Sequence, residues 1–191
     1  MAKAARDLAL LDAIEAFPRL PFGGDVWRVV RDGREPTLGS PSNSRWCNSS
    51  FDVLYTAMER DGAIAEVHAF LSLQPVFPSK MTWRAHRLSV AASETLKLAD
   101  MPTLAKLGVD TARYTDRDYR RTQEIADAAY FLGFDGLLAP SARWPTTNVM
   151  LFTARIAPDR IDCVESEANA VDWTAFRSRT GRPRLTPDRP N

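Results

Sequence analysis

The residue types with the greatest chemical capacity lie between Ser44 and Phe70. This stretch, SRWCNSSFDVLYTAMERDGAIAEVHAF, places an arginine beside a tryptophan at 45–46, a tyrosine at the end of a short apolar run at 53–55, and Glu66 among small apolar residues. A planar cation grips phosphate oxygens, an aromatic ring stacks on a base, and a carboxylate shielded from water stabilises nearby positive charge. Together they are the parts needed to hold and break a dinucleotide.

Glu66 has the most informative position. Residues 58–71 are predicted to form a helix, in which small or apolar residues at 62–63 and 69–70 lie one turn on either side of Glu66. Because burial disfavours a charged carboxylate, a glutamate on an apolar face is usually either paired with an arginine or functional. Both interpretations stay open from this segment alone.

A second charged residue, Arg28, lies within an apolar run, which is an unusual position for a cation. The run VWRVV at 26–30 is β-branched and predicts a strand with Arg28 at its centre. A cation buried without a partner costs several kcal/mol, so Arg28 should meet a carboxylate, a phosphate or a groove open to water. The alternative is an edge strand that leaves Arg28 in solvent.

Further candidates come from loops. Residues 31–50 are rich in Gly, Pro, Ser and Asn and too long for a simple turn, and loops of this length often bind ligands. Near the end of this loop, Trp46 is either a ligand contact or a core anchor, and Arg45 either a binding cation or a surface charge. Ser141 follows a predicted strand beside a proline, where a serine commonly belongs to a turn.

The elements that must position these residues mix helices and strands. Apolar residues recur at helical spacing in residues 4–17, 58–71 and 118–133, with a shorter helical piece between Pro102 and Gly108. Thr115 or Asp116 is predicted to cap the helix at 118–133. Strands are predicted at 26–30, 53–55, 82–90, 134–138 and 148–153. Because the order shows no regular βα alternation, the expected class is α+β.

Composition excludes several classes of protein. The chain of 191 residues has 45% hydrophobic residues and a net charge of +1, as expected for one globular domain without a general attraction to nucleic acid. No run of about 20 apolar residues predicts a membrane span, and the N-terminus lacks a signal-peptide pattern. The expected location is the cytoplasm.

Metal and common nucleotide chemistry are also disfavoured. The two cysteines, Cys47 and Cys163, and the two histidines, His68 and His86, share no metal-ligand spacing, so no metal is expected and both thiols should be free. The phosphate loop, the Rossmann glycine turn, the nucleophile elbow and the H-E-x-x-H helix do not occur.

An ordered set of short motifs resembles the RES-domain family. It consists of W-R-V (27–29), R-W-C-N (45–48), V-L-Y-T-A (53–57), A-x-A-E-V (63–67), A-P-S-A-R (139–143) and N-V-M-L-F (148–152). The resemblance covers about residues 22–155. The family is named for an arginine, a glutamate and a serine, which correspond to Arg28, Glu66 and Ser141.

The resemblance implies a fold and a division of the chain. The expected core is ADP-ribosyltransferase-like, with mixed, mainly antiparallel sheets flanked by helices. This core would occupy residues 22–155, preceded by an amphipathic helix within 1–21 and followed by a C-terminal extension at 156–191. The Arg- and Pro-rich end of that extension, residues 177–191, is predicted to be an extended or mobile tail.

The resemblance also implies an activity and partners. RES proteins are toxins of bacterial toxin–antitoxin pairs that consume NAD+. The implied substrate is therefore NAD+, cleaved at the nicotinamide–ribose bond, with ADP-ribose transferred to a bacterial protein. The implied partner is an antitoxin with an Xre-like helix-turn-helix that covers the active site, and DNA would be contacted only through it.

The roles follow residue by residue. The implied catalytic residues are Glu66, Arg28 and Ser141, with Glu66 stabilising an oxocarbenium-like state. The implied ligand contacts are Arg28 and Arg45 on the pyrophosphate, Tyr55 and Trp46 stacked on the rings, and Ser141 and Asn148 as hydrogen-bonding groups.

Three alternatives remain open. The enzyme could be an NAD+ glycohydrolase or phosphorylase, because no loop for recognising a protein acceptor can be identified in the sequence. A toxin acting on RNA is a second alternative, against which stands the nearly neutral charge. A third is an interaction module in which Arg28 and Glu66 form a structural ion pair.

Overall fold

The computed structural model describes residues 6–98 and 100–180. Its helices are α1 Leu8–Glu15, α2 Arg60–Leu71, α3 Met101–Lys106, α4 Arg120–Phe131 and α5 Trp173–Thr180. Its strands are β1 Leu20–Arg31, β2 Asn43–Ser44, β3 Cys47–Asn48, β4 Val53–Ala57, β5 Trp83–Lys97, β6 Gly136–Pro140, β7 Thr147–Phe152 and β8 Ile161–Ser166. The α+β class expected from the sequence is confirmed.

Six of these strands form one sheet in the order β1-β4-β7-β6-β5-β8. The long strands β1 and β5 also pair with each other, in a register that places Arg28 opposite His86. The first five strands of this order therefore close into a circuit, with β8 added on the outside of β5. Of the described pairings, only β5 with β6 is parallel. The sheet is thus mixed and mainly antiparallel, as predicted.

Apolar residues collect in three clusters that follow from this arrangement. The largest lies between α1, α3, α4 and one face of the sheet and contains Ile14, Ile125 and Phe134. A second packs α2 and α5 over β1 and β5, and a third fills the interior of the strand circuit. Strand β4 divides its side chains between them, since Val53 enters the first cluster and Leu54 the third.

Two local expectations for the helices need correction. Helix α1 buries Leu10 and Ile14, whereas Leu8, one of the apolar residues at helical spacing in 4–17, is largely exposed. Helix α4 begins later than predicted: its N-cap position is Tyr119, without a side-chain capping bond. Asp116 instead pairs with Arg113, because residues 111–113 form a 3-10 turn that draws it away from the helix.

The part of the C-terminal extension that the structure describes is packed. Strand β8 pairs with β5, and α5 buries Trp173 and Phe176 in the second cluster. Residues 177–180, predicted as the start of a tail, are the last turn of α5 and are held there by an ion pair between Arg179 and Asp61. Residues 181–191 lie outside the described residues. The division at 22 and 155 stays a prediction.

Candidate active site

A cavity of about 690 Å³ opens between β1, the loop after it, β4 and α2. Six arginines line it together with two glutamates, so its wall is strongly cationic. The arginines are Arg28, Arg31, Arg34, Arg45, Arg117 and Arg143, and the glutamates are Glu35 and Glu66. Such a surface attracts an anionic ligand. Five of the predicted ligand contacts line this cavity: Arg28, Arg45, Trp46, Tyr55 and Asn148.

Glu66 projects from α2 toward the ends of β6 and β7, where two neutral donors meet it. Its Oε1 accepts hydrogen bonds from Ser141 Oγ at 2.6 Å and from Asn148 Nδ2 at 2.7 Å. Among the described residues, these bonds are all on Oε1, so Oε2 keeps its capacity to accept from a ligand. No ion pair joins Glu66 to an arginine in the part of the chain that the structure describes. The structural ion pair with Arg28 is therefore absent there.

Ser141 is committed to holding this carboxylate. Besides donating to Glu66, its Oγ accepts the backbone N–H groups of Arg143 at 3.0 Å and Trp144 at 3.2 Å. A hydroxyl has one donor and two acceptor positions, and all three are used. Ser141 was predicted to bond the ligand directly. The geometry shows Ser141 positioning Glu66, and a direct bond from Ser141 to the ligand stays a prediction.

Asn148 is brought to Glu66 by the register of the sheet. It lies opposite Ala57 on β4 and Ala139 on β6, and these small neighbours leave room for the glutamate between them. Because a carboxylate oxygen only accepts, the amide nitrogen of Asn148 must face Glu66. The residue is 5% exposed, and its Oδ1 is buried without a hydrogen-bond partner among the described groups.

A glycine sets how closely α2 approaches this corner. Gly62 lies one turn before Glu66, and a Cβ atom there would come within 2.5 Å of Thr146 Cγ2 and 3.3 Å of the Ala57 Cβ. The segment linking β6 and β7 therefore packs directly against the helix backbone. This contact keeps Glu66 within hydrogen-bonding distance of Ser141.

Arg28 occupies a different part of the same cavity. Its Nη1 donates to the carbonyl oxygens of Pro36 and Leu38, both at 2.6 Å, and so ties the loop after β1 to the strand. Burial, together with the nearby Arg34 and opposed by Glu35, lowers the pKa of Arg28 to about 10. Of the environments expected from the sequence, a groove is the one observed.

Arg45 and Trp46 form the two-residue turn of the small hairpin β2–β3, in which Ser44 pairs with Cys47. The guanidinium of Arg45 lies 4.5 Å from the ring centroid of Tyr114 and 4.9 Å from that of Tyr119. Burial lowers the pKa of Arg45, and Arg143 lowers it further. Arg45 is therefore a fixed cation on the side of the cavity that also holds Glu66.

Helix α4 and strand β4 fix that hairpin. Gln123 Nε2 donates to Asn43 Oδ1, Ser44 O and Cys47 O at 2.8 to 3.1 Å. The hydroxyl oxygen of Tyr55 accepts from the backbone N–H of Trp46 at 2.6 Å and from Ser44 Oγ at 2.8 Å. Burial raises the pKa of Tyr55, so its phenol stays neutral.

Tyr55 and Trp46, both predicted to stack on the ligand rings, have different environments. Trp46 is only 1% exposed and packs in the largest apolar cluster, so the core-anchor alternative accounts for it and its ring is not offered to a ligand. Tyr55 lines the cavity, but its hydroxyl serves the hairpin. Stacking by Tyr55 stays a prediction.

Several cavity residues were not identified from the sequence. Arg117, Tyr119 and Arg143 come from segments whose path across the cavity depends on the packing of α4 and of the β6–β7 connection. Arg143 lies in the motif A-P-S-A-R, two residues after Ser141. Its closeness to Ser141 was the feature of the sequence that could have indicated its place in the site. Arg117 donates to the Ala69 carbonyl of α2 at 3.0 Å.

Other chemistry is not indicated within the described residues. No group of three or more His, Cys, Asp or Glu side chains there could hold a metal ion. Cys47 and Cys163 are free thiols. None of the described helices has the length and apolar character to span a bilayer.

Comparisons with known proteins show a family and a shared fold. A family model described as the RES domain matches residues 25–174. The chain is similar to a solved structure, the crystal structure of the MbcT–MbcA toxin–antitoxin complex of M. tuberculosis, with a TM-score of 0.78 and 19% identity. The alignment covers 93% of this chain and 100% of the other and shows a shared fold. A search of curated proteins finds no match.

Proposed function

The chain belongs to the RES-domain family, and from this membership and the site geometry we propose that it cleaves NAD+ at the nicotinamide–ribose bond. The ADP-ribose is transferred to a bacterial protein, and the chain is the toxin of a type II toxin–antitoxin pair. The observation that carries this proposal is Glu66, held on one oxygen by Ser141 and Asn148 beside a cavity lined by six arginines.

Glu66 supplies the chemistry of bond cleavage. As the bond between ribose C1′ and the nicotinamide nitrogen breaks, its electron pair leaves with nicotinamide and positive charge develops on the ribose. A fixed carboxylate near C1′ stabilises that charge, and two bonds to Oε1 hold it without reorganisation. The remaining oxygen, Oε2, accepts a hydrogen bond from a ribose hydroxyl.

The arginines supply the binding. A pyrophosphate carries two negative charges and presents paired oxygens, which suit guanidinium groups better than ammonium groups. Arg28 and Arg45 both line the cavity and come from different elements, one from β1 and one from the β2–β3 turn. The pyrophosphate contacts both guanidinium groups, and the acceptor's nucleophilic atom bonds to C1′ on the face opposite nicotinamide and releases its proton to solvent.

The proposed partner is an antitoxin with an Xre-like helix-turn-helix. Three apolar side chains that line the cavity, Leu38, Phe70 and Leu73, are each more than half exposed. Apolar groups exposed together are typical of a surface that another protein covers. An antitoxin segment seated there would exclude NAD+.

The deciding experiment follows free nicotinamide when the purified chain is incubated with NAD+. Mass spectrometry of added bacterial protein is run in parallel to detect an ADP-ribose adduct. Nicotinamide with an adduct supports transfer, whereas nicotinamide with free ADP-ribose or its 1-phosphate assigns glycohydrolase or phosphorylase activity instead. Absence of nicotinamide release contradicts the proposal. Expression without the neighbouring antitoxin gene should stop growth.

A further inference from the structure

A tight turn at the outer part of the cavity carries two arginines that nothing in the proposed reaction uses. It follows β1 and is closed by the backbone bond from Arg34 N to Arg31 O at 3.1 Å. Gly33 within it has a φ of +80°, a backbone conformation that glycine adopts without strain. Both arginine side chains line the cavity and are exposed.

The acidic residues of this turn are occupied elsewhere. Asp32 forms a two-pronged ion pair with Arg84, with both N–O distances 3.3 Å. The Oε1 of Glu35 accepts from Thr37 Oγ1 at 2.9 Å, which holds this carboxylate on its own loop. Among the described residues, the guanidinium groups of Arg31 and Arg34 form no hydrogen bond or ion pair. The turn therefore presents cationic donors without protein partners.

The turn lies on the Arg28 side of the cavity, away from Glu66. Trp27 on β1 pairs with Ala57 on β4, which pairs with Asn148 beside Glu66, whereas the turn begins at Arg31, four residues beyond Trp27. If the nicotinamide ribose lies at Glu66, as the proposed function requires, the adenosine half extends toward Arg28 and the turn. Leu38 offers an exposed apolar surface there for the adenine ring.

We propose that Arg31 and Arg34 form a subsite for a phosphate on the adenosine ribose, so that the chain accepts NADP+ as well as NAD+. This inference rests on the proposed function. It adds NADP+ as a substrate, because Arg28 and Arg45 on the pyrophosphate do not distinguish NADP+ from NAD+. A 2′-phosphate adds up to two negative charges and three acceptor oxygens, which two unpartnered guanidinium groups satisfy. The bond that breaks at the nicotinamide ribose is the same in both dinucleotides.

The test measures nicotinamide release from NAD+ and NADP+ by the purified full-length chain. The ratio of kcat/KM for NADP+ to that for NAD+ is expected to be about one or higher in the wild type, since the added phosphate meets free donors. Arg34→Ala and Arg31→Ala should each lower this ratio by about tenfold, because each removes charged hydrogen bonds to the extra phosphate. Arg34→Lys should restore part of it.

A matched control is Arg160→Ala, which removes an exposed arginine from the 3-10 turn Pro158–Arg160, outside the cavity, and should leave the ratio unchanged. Cleavage of NAD+ without cleavage of NADP+ overturns the subsite and leaves the proposed function intact. Equal loss of both activities in the Arg34 and Arg31 variants also overturns it. Release of nicotinamide from neither dinucleotide overturns both proposals.

Discussion

The two sides of the cavity hold their key charges in different ways. Glu66 is fixed by side-chain donors from two strand ends, Ser141 and Asn148, at 2.6 and 2.7 Å. Arg28 is fixed by two backbone carbonyls of the loop that follows its own strand. The carboxylate thus depends on residues distant in sequence, whereas the guanidinium depends on neighbours within ten positions.

This difference separates a preorganised side from an adaptable one. Neutral donors satisfy Glu66 without adding charge, so its carboxylate is oriented before any ligand arrives. Arg28 is a half-buried cation without a carboxylate partner in the described structure, and burial is the main cause that lowers its pKa to about 10. A bound anion relieves that condition. The Glu66 side should therefore control the rate of the chemical step, and the Arg28 side the affinity.

The most severe way to break the Glu66 side is Glu66→Gln. The amide keeps the shape but removes the charge, and its NH2 group cannot accept from Ser141 or Asn148. The value of kcat for nicotinamide release should fall by about 10²–10³-fold with little change in KM. Glu165→Gln, a surface change on β8, serves as the control and should stay near wild type. Full activity in the Glu66 variant would refute the mechanism.

On the Arg28 side, Arg28→Lys keeps the positive charge but removes the paired N–H donors of the guanidinium group. A lysine cannot bridge both loop carbonyls and also contact a phosphate in a bidentate manner. Titration with NAD+ should show kcat/KM lower by about 10²-fold, carried mainly by KM. A fall in kcat at constant KM would contradict the division between the two sides.

A milder probe of the Glu66 side is Ser141→Ala. The change removes one donor to Glu66 and the acceptor for two backbone N–H groups, so kcat should fall by about tenfold while KM changes little. Ser141→Thr keeps the hydroxyl and should recover part of the loss. Ser178→Ala on α5 is the matched control, since its hydroxyl bonds only to the Thr174 carbonyl among the described groups. Wild-type rates in Ser141→Ala would show that Glu66 needs no positioning.

The smallest expected effect tests the support behind α2. His68 packs against Phe77, Trp173 and Phe176, with its Nε2 buried and unpartnered among the described groups. Burial lowers the pKa of His68 below 6.5, and Arg177 lowers it further. As pH falls below 6.5, the unfolded chain binds the proton first, so folding stability should decrease.

Thermal unfolding at neutral and mildly acidic pH measures this effect. His68→Phe should reduce the drop in Tm on acidification without abolishing it, because burial also lowers the pKa of His86. A drop of unchanged size in the variant would show that His68 does not contribute. A change in KM for NAD+ would show that α5 and the cavity are more closely linked than the contacts indicate.

The residues on the Glu66 side of the site could largely be predicted from the sequence. Glu66 could be identified because the helical period places small apolar residues one turn before and after it. One of these residues, Gly62, is the one against which the β6–β7 connection packs. Ser141 and Asn148 were placed by the family resemblance, and their contact with Glu66 follows from the pairing of β6 with β7. Periodicity also placed the regular elements, since burial on one face dictates them.

The rest depends on long-range packing that no local pattern encodes. Trp46 and Arg45 are adjacent in a two-residue turn, yet Trp46 is 1% exposed and packs in the core, whereas Arg45 holds its guanidinium over Tyr114 and Tyr119. Which way each side chain points is set by Gln123 and Tyr55, from α4 and β4. The cationic wall contributed by Arg117 and Arg143 arises in the same way.

The sequence separation within the Glu66 cluster has a consequence for biosynthesis. Ser141 and Asn148 follow Glu66 by 75 and 82 residues, so the ribosome must translate through Asn148 before the carboxylate meets both donors. A chain that terminates early carries Arg28, Arg45 and Glu66 but has no means of orienting the glutamate. Translation interrupted between Glu66 and Ser141 therefore yields a fragment in which the Glu66 cluster is not assembled.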